Sequence, residues 1–221
     1  MTRAQGGMAA SLLALAAAAP ASAGVLHGKV TLLDKGGRVS PDHSDVVVWV
    51  DGPRTRPRPV KTSIAMKGKE FKPHVVAVGV GSVVEFPNQD PIFHNAFSLS
   101  GPNSFDLDLY KRPQSGSWTF QHPGVVRVYC NIHPQMSAVV VVRDTPFFVK
   151  AQADGSFSIE GLPAGRHLVK AWHERGGETV AEVTVPAEGA ATALLTLDGS
   201  RYKRVQHKNK KNKDYSTSDR Y

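Results

Sequence analysis

The chain reads as an all-β protein built from β-sandwich layers, on three observations. Almost every ordered stretch is a short run that reads as a strand, with period-two alternation over 126–130. Gly, Pro, Asn and Asp break the chain into short runs. Past the first two dozen residues, nothing carries the 3.6-residue periodicity of a helix of ordinary length.

The elements follow in order. Residues 28–33 (GKVTLL) open the series, and a turn through Asp34-Lys35-Gly36-Gly37 follows. Residues 45–50 (DVVVWV) make a second strand, stopped by Asp51-Gly52-Pro53. The polar, proline-rich passage 54–61 reads as a linker. A middle block over 62–143 holds strand candidates at 63–66, 74–78, 82–86, 97–100, 117–120, 125–129 and 138–142. Close turns between such short runs favour a sandwich. A last block supplies candidates at 147–150, 155–159, 165–172, 178–185 and 192–197. The first two strands are too few to stand alone. The favoured organisation is therefore one small sandwich split into 24–53 and 146–200, with the middle block inserted in a loop. Two domains in series are the alternative.

The ends of the chain differ from its body. Arg3, the apolar run 8–19 and Ala21-Ser22-Ala23 form the pattern of a cleaved secretory signal over 1–23. An exported, periplasmic protein is expected, and no later run is long and apolar enough to span a membrane. Of the formal charge of +8, the stretch 201–221 contributes +6, from eight Lys/Arg against two Asp. The basicity is thus a property of this tail and argues against a nucleic-acid surface. Without apolar periodicity, 201–221 reads as a disordered tail that either solubilises the chain or makes weak contact with anionic lipid of the cell envelope or an acidic partner.

Cys130 is the only cysteine of 221 residues, so no internal disulfide forms, and a ligand role suits a lone thiol in an oxidising compartment. It lies in Tyr129-Cys130-Asn131-Ile132-His133-Pro134-Gln135-Met136. Alternation places Val126, Val128 and Cys130 on one strand face, at the strand's end. His94 offers a second imidazole upstream. Two imidazoles, a thiolate and a thioether form the donor set of a mononuclear type 1 copper centre, which makes His94, Cys130, His133 and Met136 the candidate metal ligands. Asn95, next to His94, is placed to bridge the two ligand loops through its amide. Zinc remains an alternative with poorer donors, since no carboxylate lies in the motif. A structural cysteine beside a packed methionine is another, and a copper store or chaperone would use the same residues.

Phe93-His94-Asn95 and the Cys130–Met136 run resemble the ligand motifs of plastocyanin, pseudoazurin and amicyanin. The short Cys-x-x-His-x-x-Met loop is most similar to amicyanin. The likeness spans about 62–143 and implies a cupredoxin Greek-key β-sandwich. It further implies that Met136 is the weak axial ligand, that an exposed edge of His133 exchanges electrons, and that Pro134 belongs to the partner contact patch. Gly28-Lys29-Val30 and the run Asp154-Gly155-Ser156-Phe157 resemble the regulatory-like β-sandwich appended to some carboxypeptidases. The combination resembles exported cupredoxin-like proteins of the methylamine-utilisation type. The expected function is one-electron transfer, without enzymatic activity, to or from a redox protein such as a dehydrogenase or cytochrome c. The basic run Arg54, Arg56, Arg58, Lys61, Lys67, Lys69 and Lys72 is a candidate for steering an acidic partner. A copper-binding or envelope interaction module without a carrier role is the rival expectation.

Overall fold

The computed structural model describes residues 23–52 and 55–215. The expected signal falls outside them except for Ala23. Strands β1 (Ala23–Leu33) and β2 (Val47–Asp51) come first. The middle block runs β3 (Lys61–Ser63), β4 (Ala65–Met66), β5 (Phe71–Lys72), β6 (Val75–Gly79) and β7 (Val83–Pro87). It continues with β8 (Phe97–Ser98), β9 (Phe105–Asp106), β10 (Ser115–Thr119), β11 (Gly124–Tyr129) and β12 (Ser137–Arg143). The last block holds β13 (Phe148–Lys150), β14 (Ser156–Pro163), β15 (Gly165–His173), β16 (Gly177–Val185) and β17 (Ala190–Asp198). Among the described residues the only helical pieces are two single 3₁₀ turns, Lys35–Gly37 and Gly101–Asn103.

The four larger sheets stack as layers. The outermost has the order β14-β1-β17, with β1 antiparallel to β14 and parallel to β17. Beneath it lies β13-β2-β15-β16. Leu26, Val30 and Leu32 of β1 meet Val48 and Val50 of β2 between these two sheets, with Phe157, Ile159, Leu195 and Leu197. Both opening strands therefore find their hydrogen-bonded neighbours in the last block, about a hundred residues away or more.

The third layer is β6-β12-β11-β8-β9 and the fourth β10-β7-β3. Val76, Phe86, Phe120, Val126, Val128 and Val140 form the core between them. The second and third layers also pack back to back, through Val47, Trp49 and Trp172 on one side and Val75, Val139 and Val141 on the other. This junction explains the unbroken apolar runs in β2 and β12. A strand covered on both faces has no solvent side to alternate with. Polar contacts lace the same seam. Lys150 Nζ donates to Asp45 Oδ1 (3.0 Å) and to the Val75 carbonyl (2.8 Å). The Arg143 guanidinium sits 4.2 Å over the Trp49 ring, and His74 Nε2 lies 2.7 Å from Glu174 Oε2.

Two expectations need correction. The passage 54–61 is not all free linker, because Lys61 enters β3 and Pro57 is buried against Gly79. The tail is not free either over its described part. Residues 201–215 have no regular structure, yet the His207 ring stacks on Tyr129 with centroids 4.0 Å apart and planes 14° apart. Isolated aromatic anchors hold this segment, and anchors without a period leave no signature in hydrophobic patterning.

Candidate metal centre

The β11–β12 hairpin carries the lower half of the site. Its last ladder pair is Tyr129↔Ser137, and the loop between them holds Cys130, His133 and Met136. The loop is closed by its own backbone: Met136 N donates to the His133 carbonyl (2.9 Å) and Cys130 N to the Met136 carbonyl (3.4 Å). As strand alternation predicts, Val126, Val128 and Cys130 face one core, each at most 1% exposed. Met136 is fully buried in the same core.

His94 arrives from the segment between β7 and β8. Its backbone exchanges two hydrogen bonds with Tyr110, at 3.0 and 2.9 Å. The buried amide of Asn88 holds the preceding turn, donating to the carbonyls of Ile92 (3.0 Å) and Tyr110 (2.9 Å). Asn88 Oδ1 accepts from the Asp90 N–H (2.9 Å). Sequence patterning gives no role to this asparagine.

Three donor atoms converge. His94 Nδ1 and His133 Nδ1 are 3.0 Å apart, and Cys130 Sγ lies 3.6 Å from His133 Nδ1 and 4.0 Å from His94 Nδ1. All three residues are buried, and they are the one such His/Cys/Asp/Glu cluster among the described residues. Metal–nitrogen and metal–sulfur bonds of about 2.0–2.3 Å span gaps of this size. The chain thus holds a His–Cys–His metal-binding triad at the end of a β-sandwich core. The triad matches the geometry of a type 1 copper site, and a donor set with one thiolate and no carboxylate suits copper.

A carboxylate that the sequence reading passes over fixes one ligand. Asp90 Oδ2 lies 2.8 Å from His94 Nε2. The Asp90 carboxylate also accepts from the backbone N–H groups of Gly68 (2.8 Å) and Lys69 (3.0 Å) in the β4–β5 turn. Burial works against its ionisation, but these two N–H donors and His94 outweigh burial and bring its pKa down to about 2. An ionised carboxylate only accepts, so His94 Nε2 carries a proton and Nδ1 is left as the lone pair facing the triad.

The other two ligands are tuned by desolvation. Burial, with the nearby charge of Lys69, brings His133 down to about 4, so its imidazole is neutral at ordinary pH. Burial pushes the Cys130 thiol up, against the backbone N–H groups of Asn95, Ile132 and His133. The free thiol therefore keeps its proton, and a bound cation displaces it. Around the triad, Asn95 Oδ1 accepts from the Asn131 N–H at 2.6 Å and so joins the His94 segment to the Cys130 loop. Its amide nitrogen donates to Asp106 Oδ1 (3.1 Å). His133 is 3% exposed, so the exposed edge implied by resemblance is nearly closed, with half-buried Pro134 beside it. Phe93 stands 49% exposed, with Lys111 Nζ 5.5 Å from its ring centroid. In the candidate steering run, Lys61 pairs with Glu85 and Lys72 with Glu70.

No protein-family model matches the chain, and no curated protein matches it. Among solved structures, the chain is similar to a Cu-containing nitrite reductase from Thermus scotoductus, at 29% identity and a TM-score of 0.36. That match takes in 41% of this chain and 24% of the reductase. A purple cupredoxin from Nitrosopumilus maritimus aligns at 21% identity and a TM-score of 0.34, over 37% of this chain and 99% of its own. A reduced amicyanin variant aligns at 26% identity and a TM-score of 0.35, over 38% of this chain and 82% of its own.

Proposed function

We propose that this chain is an exported type 1 copper protein that relays single electrons between redox proteins in the periplasm. The observation that carries the reading is the buried triad with donors 3.0, 3.6 and 4.0 Å apart. Copper, when bound there, supplies a one-electron couple between its cupric and cuprous forms.

The chain's own part is to hold the donors still and dry. His94, Cys130 and His133 would hold the ion as its strong ligands, and buried Met136 would offer its thioether as a weaker donor. Asp90 fixes the His94 tautomer, and Asn95 locks the two ligand segments together. Pro134 and the nearly covered His133 mark the side from which a partner approaches. Four protein donors leave no protein-free position for a substrate, which favours a carrier over an enzyme. The outer sheets, from 24–53 and 146–200, form a carboxypeptidase-regulatory-like sandwich that frames the copper module.

The visible and electron-paramagnetic-resonance spectra of the Cu(II)-loaded protein test this. An intense thiolate-to-copper band with narrow hyperfine splitting is expected, and Cys130→Ser abolishes it. A colourless cupric protein, or a Cys130→Ser variant with the unchanged spectrum, overturns the reading and leaves a β-sandwich interaction module.

A further inference from the structure

The segment after β17 makes four separate contacts with the hairpin that carries Cys130. Tyr215 Oη donates to the Cys130 carbonyl at 2.9 Å. Lys210 N donates to Asn131 Oδ1 at 2.9 Å, while Lys210 Nζ pairs with Asp106 at 2.6 Å, the carboxylate that also accepts from Asn95. The His207 ring stacks on Tyr129 and stands 6.4 Å from the buried Phe97. Arg204 Nη2 reaches the Gln135 carbonyl at 3.3 Å.

These contacts fall on residues 129, 130, 131 and 135 and so run nearly the length of the ligand loop. The Cys130 side chain points to the core while its carbonyl takes the tyrosine hydroxyl from the other side. Asn131 is held from both directions, its N–H by Asn95 and its side-chain carbonyl by Lys210. Tyr215 adds a second tie, with its hydroxyl 3.3 Å from His207 Nδ1. A charged but merely solvated tail would spread its contacts over lysine side chains. Here a backbone N–H, a tyrosine hydroxyl and a stacked ring share the holding with the Lys210 and Arg204 side chains.

We infer that residues 204–215 are an intramolecular strap that pins the metal-ligand loop from its outer face and slows its opening. The strap restricts the loop before any metal arrives, since every contact is made by the chain itself. It deepens the copper reading by supplying a control on how readily the site gives up its ion. The pinning itself does not rest on that reading.

Amide hydrogen exchange on the metal-free protein tests the strap directly. The full chain is compared with a variant ending at Ser200 and with a His207→Ala/Tyr215→Phe double variant. Deletion is expected to speed exchange of amides 129–136 by about tenfold or more, the worth of a few net hydrogen bonds. Amides of β12 from 139 to 142 should be unchanged, and the double variant should reproduce most of the effect. Equal exchange of 129–136 with and without the segment overturns the inference. Faster exchange throughout β12 overturns it as well, because the segment would then support the whole fold. Because this readout needs no metal, a colourless cupric protein with a protected loop would sink the copper reading alone.

Discussion

Asp90 Oδ2 and His94 Nε2 are 2.8 Å apart, and that contact decides which imidazole nitrogen of His94 faces the triad. The aspartate is held by two backbone N–H groups of the β4–β5 turn, so the tautomer of a metal ligand is set by a turn more than twenty residues upstream. Removing such a partner of a ligating histidine weakens metal binding by about 10–100-fold. Asp90→Ala should show that loss in a competitive copper titration. Unchanged affinity would mean that His94 keeps its orientation without the carboxylate.

Asn95 should matter for the loop more than for the ion. In Asn95→Ala the Asn131 N–H loses its 2.6 Å acceptor. A part-buried donor left without a partner costs about 1 kcal/mol, the low end of the range for buried groups. The metal-free protein should lose that much stability in denaturant unfolding. A variant with the wild-type midpoint and slope would show that water replaces the amide at no cost.

His74 and Glu174 join the third layer to the second, and they make stability depend on pH. The hydrogen bond and charge of Glu174, against burial, raise the His74 pKa above 6.5. The hydrogen bond from His74, also against burial, lowers Glu174 below 4.5. A raised histidine stabilises fully below its unfolded pKa and loses this as pH rises through its folded one. A lowered carboxylate stabilises above its unfolded pKa and loses this as pH falls through its folded one. The pair therefore contributes most between pH 4.5 and 6.5. Calorimetry should show a fall in Tm as pH rises above 6.5 that His74→Gln removes. An identical fall in that variant would assign the dependence to another group.

Trp49 is 2% exposed, at the junction of the two inner sheets and under Arg143. Trp49→Ala empties that space and strips a half-buried guanidinium of its aromatic face. The expected loss is about 3–5 kcal/mol, read by chemical unfolding. A loss well below 1 kcal/mol would mean that the junction is loose and the sheets are nearly independent.

Much of this was legible from residue order, and what was not has definite causes. Strands such as β11 and β16 announce themselves because one face is wet and the other dry. The ligand loop is legible because Cys130, His133 and Met136 are close in sequence and chemically distinctive. The two-residue strands β5 and β9 are too short for any periodicity. Asp90 has no signature in the sequence, because its direction is set by a turn that Asn88 stabilises, and composition does not encode direction. The anchoring of 201–215 rests on His207 and Tyr215, two rings in a run of lysines whose partners lie some eighty residues away.

The strand β12 has a consequence for how this protein tolerates change. Ala138, Val140 and Val142 belong to the core that houses the triad, and Val139 and Val141 to the junction with the outer sheets. Neighbouring residues on one short strand thus answer to different masters. A scan along it should give phenotypes that switch with odd and even position, one set felt at the ligands and the other in how the halves hold together. Evolution cannot retune either side without moving through this shared wall one residue at a time.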